Sequence, residues 1–152
     1  MKAMMKGLLT IAMVASAACD GAPTAASASV SPTGGPEFAK PGRSSLSFSY
    51  TQNNSTETPQ TSSGGVGRID FTGSLTTGTP CYELSAAHSA QSNQITVTVT
   101  ATGTGGFCAQ VITYNNYQGA VTGLAAGTYT FTVLHSVGGS TTTAQTSTVV
   151  VQ

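Results

Sequence analysis

Charge is scarce in this chain. Five basic and five acidic side chains make up 7% of its 152 residues. Lys2 and Lys6 lie at the extreme N-terminus, which leaves Lys40, Arg43 and Arg68 against Asp20, Glu37, Glu57, Asp70 and Glu83. No basic stripe remains to meet phosphates, so nucleic acid is excluded as a partner. Tryptophan is absent, the side chain most useful for stacking on a sugar ring. All four methionines (Met1, Met4, Met5 and Met13) are N-terminal, and no histidine follows closely behind Cys108. A blue-copper site needs a free Cys, two His and usually an axial Met, and is therefore excluded. No segment repeats its apolar residues at helical spacing. A glycine loop opening a helix onto phosphate has no helix to open, and no nucleophile elbow occurs. What is abundant is Thr, Ser, Gly, Asn and Gln. Solubility then rests on hydroxyls and amides, as in exported β proteins.

The N-terminus has the parts of an export signal. Lys2 and Lys6 make a positive start, Gly7 to Val14 an apolar run, and Ala15-Ser16-Ala17-Ala18 a small-residue stretch. The apolar run is too short to cross a membrane. Its apolar residues form a block and not a stripe, which argues against a helix of the folded domain.

Ser16-Ala17-Ala18-Cys19 resembles the lipobox of bacterial lipoproteins, although that family usually has Leu or another aliphatic residue where Ser16 stands. The resemblance implies that residues 1–18 are a signal peptide and that Cys19 is lipidated and becomes the mature N-terminus. It implies a membrane partner reached through that lipid, on a bacterial cell envelope, with the domain facing the periplasm or the exterior. Asp20 resembles the inner-membrane retention signal of some of these proteins. The rival reading is ordinary signal cleavage, after Ala17 or after Ala28. Cysteine arithmetic favours lipid: of the three cysteines, giving Cys19 to lipid leaves Cys81 and Cys108 as a pair. Residues 19–43 are Ala, Ser, Pro, Thr and Gly with almost nothing to bury, which predicts a disordered tether.

A domain is expected over residues 44–152. Leu46, Phe48 and Tyr50 alternate with serines, which predicts a half-buried strand. Residues 51–65 read as a long polar loop. Ile69, Phe71, Gly73 and Leu75 share one parity, and Tyr82, Leu84 and Ala86 another. Residues 95–101 are β-branched and alternating, the plainest strand in the chain. Residues 107–114 are apolar on both parities, which predicts a central strand. Asn115-Asn116 reads as a turn, followed by a weak strand over 117–122. Tyr129, Phe131 and Val133 define the next strand, Gly138-Gly139 a hairpin turn, and residues 145–151 the last strand. About seven to eight short strands without a helix predict an all-β, antiparallel two-sheet sandwich.

Gly123-Leu124-Ala125-Ala126-Gly127-Thr128-Tyr129 resembles the corner before the penultimate strand of fibronectin-III-like and bacterial immunoglobulin-like domains. The resemblance implies that the tyrosine hydroxyl ties back to the corner backbone, and it implies no activity. Strands assigned by that analogy put Cys81 and Cys108 at one end of the sandwich, one in each sheet. A disulfide there would contribute ~3–4 kcal/mol by chain entropy. Two free buried thiols are the competing reading, disfavoured in an exported chain.

The remaining candidates are few. His88 and His135 each share parity with apolar neighbours, and the analogy places both near the same end. A metal-dependent or hydrolytic site there is the minor alternative. Zinc needs three or four ligands, and no third one joins them by parity, so two strand-end imidazoles bonded to backbone are the simpler reading. Tyr114-Asn115-Asn116-Tyr117 could contact a sugar or a protein from its turn, and the competing reading is a plain hairpin. The sequence thus predicts a non-enzymatic, lipid-anchored interaction or structural module with no cofactor, metal or catalytic residue. The alternative is a carbohydrate- or peptide-binding surface protein using Tyr114 to Tyr117.

Overall fold

Alternation of apolar and hydroxyl side chains needs two layers to bury one face of each strand, and two layers are what forms. The computed structural model describes residues 43–152. Its strands are β1 (Ser45–Asn53), β2 (Thr61–Gly65), β3 (Arg68–Thr77), β4 (Tyr82–Gln91), β5 (Gln94–Gly103), β6 (Thr113–Thr122), β7 (Gly127–Val137) and β8 (Ser140–Val151). One sheet has the order β1-β6-β3-β2 and the other β4-β5-β7-β8. The expected signal, the lipidation site Cys19 and most of the tether lie outside the described residues.

The core is made by the predicted parities. Ile69, Phe71, Leu75, Tyr117 and Val121 of the first sheet meet Ile95, Val97, Val99, Phe131 and Val133 of the second. Phe71 and Phe131 pack across the gap with centroids 5.5 Å apart and rings tilted by 41°. The corner before β7 is built as the resemblance implied: the Tyr129 hydroxyl donates to Ala125 O at 2.9 Å, and Gly123 takes φ +78°. Gly138 and Gly139, at φ +58° and +85°, turn β7 into β8.

Four expectations are corrected. The sheets are not antiparallel throughout, because β5 and β7 pair in parallel, Gln94 with Thr130 through Ala101 with Val137. The cause is the crossover: the chain leaves β5, runs back along the other sheet as β6, and returns beside β5. Immunoglobulin sheets are antiparallel, so the sandwich is wired differently from the resemblance. Second, residues 61–65 are a strand and not a loop. Thr-Ser-Ser-Gly-Gly has weak strand propensity, so this strand is specified by its neighbours, pairing Thr61 with Thr72 through Gly65 with Arg68. Third, residues 107–112 lie outside any strand and residues 113–122 form one continuous strand. Fourth, β4 and β5 are a hairpin of one sheet and Cys108 lies outside any strand, so the two cysteines share an end as the analogy had it but not on the strands it assigned. Cys81 instead precedes β4, and Cys108 lies in the loop that leads into β6.

The Cys81–Cys108 disulfide is formed, with an S–S length of 2.02 Å and Cα atoms 6.0 Å apart. Together with a bond from Thr104 N to Cys81 O at 3.0 Å, it holds the β5–β6 loop against the start of β4. At the other end of the sandwich the sheets are joined by main chain. Gly67 N donates to Gln152 O at 2.9 Å and Gln152 N to Gly65 O at 3.1 Å. β2 passes so close to β8 that a Cβ on Gly64 would run into the Val150 carbonyl, while a Cβ on Gly65 would meet only the mobile end of Arg68.

Two stability outcomes follow. Gly64→Val should destabilise the domain by about 2 kcal/mol or more through overpacking against backbone, whereas Gly65→Ala should change little; chemical denaturation of both variants measures the contrast. Replacing Cys81 and Cys108 together by Ala should lower stability by ~3–4 kcal/mol, read the same way, since the closed loop spans a sequence separation of 27.

Candidate functional site

The stretch Tyr114 to Tyr117 is no turn. It lies inside β6, between β1 and β3, and the pleat divides it. Successive strand side chains point to opposite faces, so Asn115 and Tyr117 are buried at 0% and 2% exposure while Tyr114 and Asn116 are half-buried on the outer face. The four residues cannot act as one contact surface. Asparagine favours turns by bonding its own nearby backbone, and here both amides bond to distant partners instead.

Asn115 Nδ2 donates to Leu75 O at 2.8 Å and to Thr77 Oγ1 at 3.1 Å. Its Oδ1 accepts from Gln52 Nε2 at 2.8 Å, and Gln52 Nε2 also reaches Tyr82 O at 2.8 Å. One buried amide therefore links β1, β3 and β6 to the start of β4, beside the disulfide. Asn116 works outward. Its Oδ1 accepts Thr58 N at 2.9 Å and its Nδ2 donates to Thr56 O at 2.9 Å, which fixes the β1–β2 loop over the outer face.

Tyr117 carries the second buried knot. Its hydroxyl donates to Gln60 Oε1 at 2.7 Å. That hydrogen is then committed, so His135 Nε2, 2.8 Å away, must be the donor to the same oxygen. Gln60 reaches this point because Gly73 has no side chain; a Cβ there would strike Gln60 Oε1 and the Tyr117 hydroxyl. Gln60 Nε2 continues to Ser74 O at 3.0 Å. Farther along the same side of the interior, Gln145 Nε2 donates to Ser62 Oγ at 3.0 Å, and Ser62 and Ser147 share a bond of 2.7 Å. These polar bonds tie β2 to β8.

Burial raises the Tyr117 phenol to about 12, partly offset by the Gln60 hydrogen bond. Burial lowers His135 below the usual imidazole value. The pair is a neutral tyrosine and a neutral histidine locked between sheets. His88 is elsewhere. β4 runs opposite to β7, against the analogy, and the register sets His88 level with Val133, two positions along β7 from His135 and with β5 between them. His88 Nε2 instead meets Ser44 Oγ at 3.0 Å. Among the described residues no three His, Cys, Asp or Glu side chains are grouped so as to hold a metal.

Two surface features escaped the sequence reading. The β5–β6 loop exposes Phe107 completely, at 111%, with Ile112 at 60% and Val111 at 39%. Its apolar composition on both parities looked like a buried strand; the pair Gly105-Gly106 and a cysteine mid-run were the signals against it. The outer face of the first sheet carries a groove of about 430 Å³ over Ala120, continuing into one of about 220 Å³. Ser, Thr and Gln at outward positions give no sequence signal of concavity.

An eight-stranded sandwich with one disulfide and buried, hydrogen-bonded polar knots, in which only Ser74 Oγ and Gln145 Oε1 lack a partner among the described residues, defines a β-sandwich domain. The family model of the ORF11 beta-sandwich domain matches residues 72–149, just over half of the chain. The chain belongs to the ORF11 β-sandwich domain family. The match takes in β4 to β7, the disulfide, Asn115, Tyr117 and His135, and leaves out β1 and β2 with Gln52 and Gln60. No curated protein and no solved structure matches the chain.

The Tyr117–His135 knot has a pH signature of definite sign. The unfolded imidazole takes up its proton at higher pH than the folded one, so stability is full above about pH 6.5 and falls as pH drops towards the lowered folded value. The unfolded phenol ionises near 10 and the folded one at about 12, so stability falls again between them, by roughly 2–3 kcal/mol in all. Tyr117→Phe should abolish the alkaline loss while costing about 1–3 kcal/mol at neutral pH, because Gln60 and His135 lose their partner. Denaturation midpoints against pH, for the wild type and this variant, are the measurement.

Proposed function

We propose that this chain is a non-enzymatic interaction module, exported and held by lipid on Cys19 to a bacterial cell-envelope membrane. One observation carries the interaction part. Phe107 is wholly exposed on a loop that a disulfide holds rigid, at the end of the sandwich opposite to Ser44, where the chain enters β1. Soluble proteins seldom leave a clamped aromatic and two aliphatic neighbours in water without a use for them. A tether joined at Ser44 leaves that loop free at the far end. Glu57 and Glu83 stand in and beside the same end of the fold, which suits a protein partner with an apolar socket and a basic rim better than an anionic bilayer.

The export and anchoring part rests on the lipobox-like stretch. A disulfide and a surface of hydroxyls agree with an oxidising compartment. The polar knots are spent on internal hydrogen bonds, which supports a binding role over a chemical one.

Growth with an alkyne-bearing palmitate analogue, followed by intact mass measurement, tests the anchor. The wild type should carry label at an N-terminal Cys19, and Cys19→Ala should abolish the label and release the protein from membranes. A mature chain beginning elsewhere, without lipid, would sink the reading.

A further inference from the structure

We propose that the outer face of the first sheet binds a neutral oligosaccharide, in the groove over Ala120. This inference does not depend on lipid at Cys19, and it concerns a different surface from the Phe107 loop.

The groove follows from the register. β6 lies between β1 and β3, and outward residues come in rungs: Ser47, Ala120 and Asp70, then Ser49, Gln118 and Thr72. Neighbouring strands are about 4.8 Å apart, so each rung is roughly 10 Å wide. Ala120 is the small residue at the middle of its rung, with Ser47 and Asp70 standing on either side, and the depression of about 430 Å³ lies there. It shares Ser49, Thr72 and Gln118 with the depression of about 220 Å³ towards Asn116 and Thr58. One end runs out towards the rung of Arg68 and Thr122. The other is closed by the β1–β2 loop, which Asn116 pins in place. From Ala120 to Asn116 the strand rises about 14 Å, the span of two or three linked sugar rings.

The lining chemistry selects the ligand. The one carboxylate, Asp70, already pairs with Arg68 Nε at 2.9 Å through Oδ2, so the groove offers no free charge to a cation or an anion. Phe48 and Phe71 also border the depression but are packed into the core, so among outward side chains Ala120 supplies a single methyl, too little for an apolar ligand and suited to the C–H face of one ring. A peptide strand is excluded because β6 is central and its main chain is already paired on both sides by β1 and β3. Gln118 and Ser49 are exposed and form no side-chain hydrogen bond among the described residues, and Asp70 keeps Oδ1 for a donor. An amide, a hydroxyl and a carboxylate oxygen together both donate and accept, which matches vicinal hydroxyl groups. Thr72 is occupied with Thr61 Oγ1 at 2.7 Å and Pro59 O at 3.2 Å, and serves as wall. Without an aromatic platform the affinity should be weak, in the millimolar to high micromolar range.

The test is a titration of the full chain, labelled with ¹⁵N, with four neutral trisaccharides: maltotriose, cellotriose, mannotriose and chitotriose. At least one should shift the Gln118 side-chain amide and the backbone amides of Ser49, Asp70 and Ala120. Ala120→Phe, which fills the groove from an outward position, should abolish those shifts without moving the thermal midpoint. Gln118→Ala should weaken binding about tenfold and serves if the first variant misfolds. Three results would overturn the proposal: no trisaccharide moves these resonances; the shifts centre on the Phe107 loop; or they survive both substitutions.

Discussion

The two-residue pleat of a single central strand governs most of what this domain can do. β6 lies between β1 and β3 in the first sheet. Its odd-numbered residues go to the interior, where Asn115 and Tyr117 anchor two buried hydrogen-bond knots, and its even-numbered residues go to the surface, where Asn116 secures a loop and Gln118 and Ala120 shape a groove. A one-residue slip of register would exchange these sets. It would put Gln118 and Ala120 in the core and leave Gln52, Gln60 and His135 without the partners they now have. Satisfied polar groups at Asn115 and Tyr117 thus specify the register more sharply than aliphatic residues in the same places could.

The polar part of the interior is held without charge. The interior on the β2 and β8 side is filled by Gln60, Ser62, Gln145, Ser147 and His135, which bond to one another and to Tyr117 in place of packing hydrocarbon. Glycine makes room for them: Gly73 admits the Gln60 amide, and Gly64 lets β2 lie against Val150. The domain is closed on this side by neutral hydrogen bonds, and on the far side by Ser44 to His88 and Gln52 to Tyr82.

What could be read from the chain alone was whatever alternates over a short distance. β3, β5 and β7 were visible because Ile69, Val97 and Phe131 each sit in a local period of two, β8 because it ends in a β-branched run, and the Tyr129 corner because Gly123 and Gly127 lie within seven consecutive residues. β2 was not, because Ser62 and Gly64 gain their reasons for being in a strand from Ser147 and Val150, more than eighty positions away. β6 was mistaken for two strands because the partners of Asn115 and Asn116, namely Leu75, Gln52 and Thr56, are distant in sequence. The parallel pairing of β5 with β7 was hidden for the same cause. Phe107, Val111 and Ile112 misled in the opposite direction, since hydrophobicity suggested burial where a disulfide holds the loop out. Gln60 and Gln52 had no local mark at all; each is one amide in a polar stretch.

The placement of the Phe107 loop and of Ser44 at opposite ends has a mechanical side. A pull between these points drags β1 and β6 past each other along their length. Nine residue pairs, from Ser45 with Thr122 to Asn53 with Tyr114, then share the load at once and are not opened in turn like a zip. Cys81–Cys108 diverts part of the same force into the second sheet through β4. A pull along this line therefore loads the β1–β6 ladder in shear.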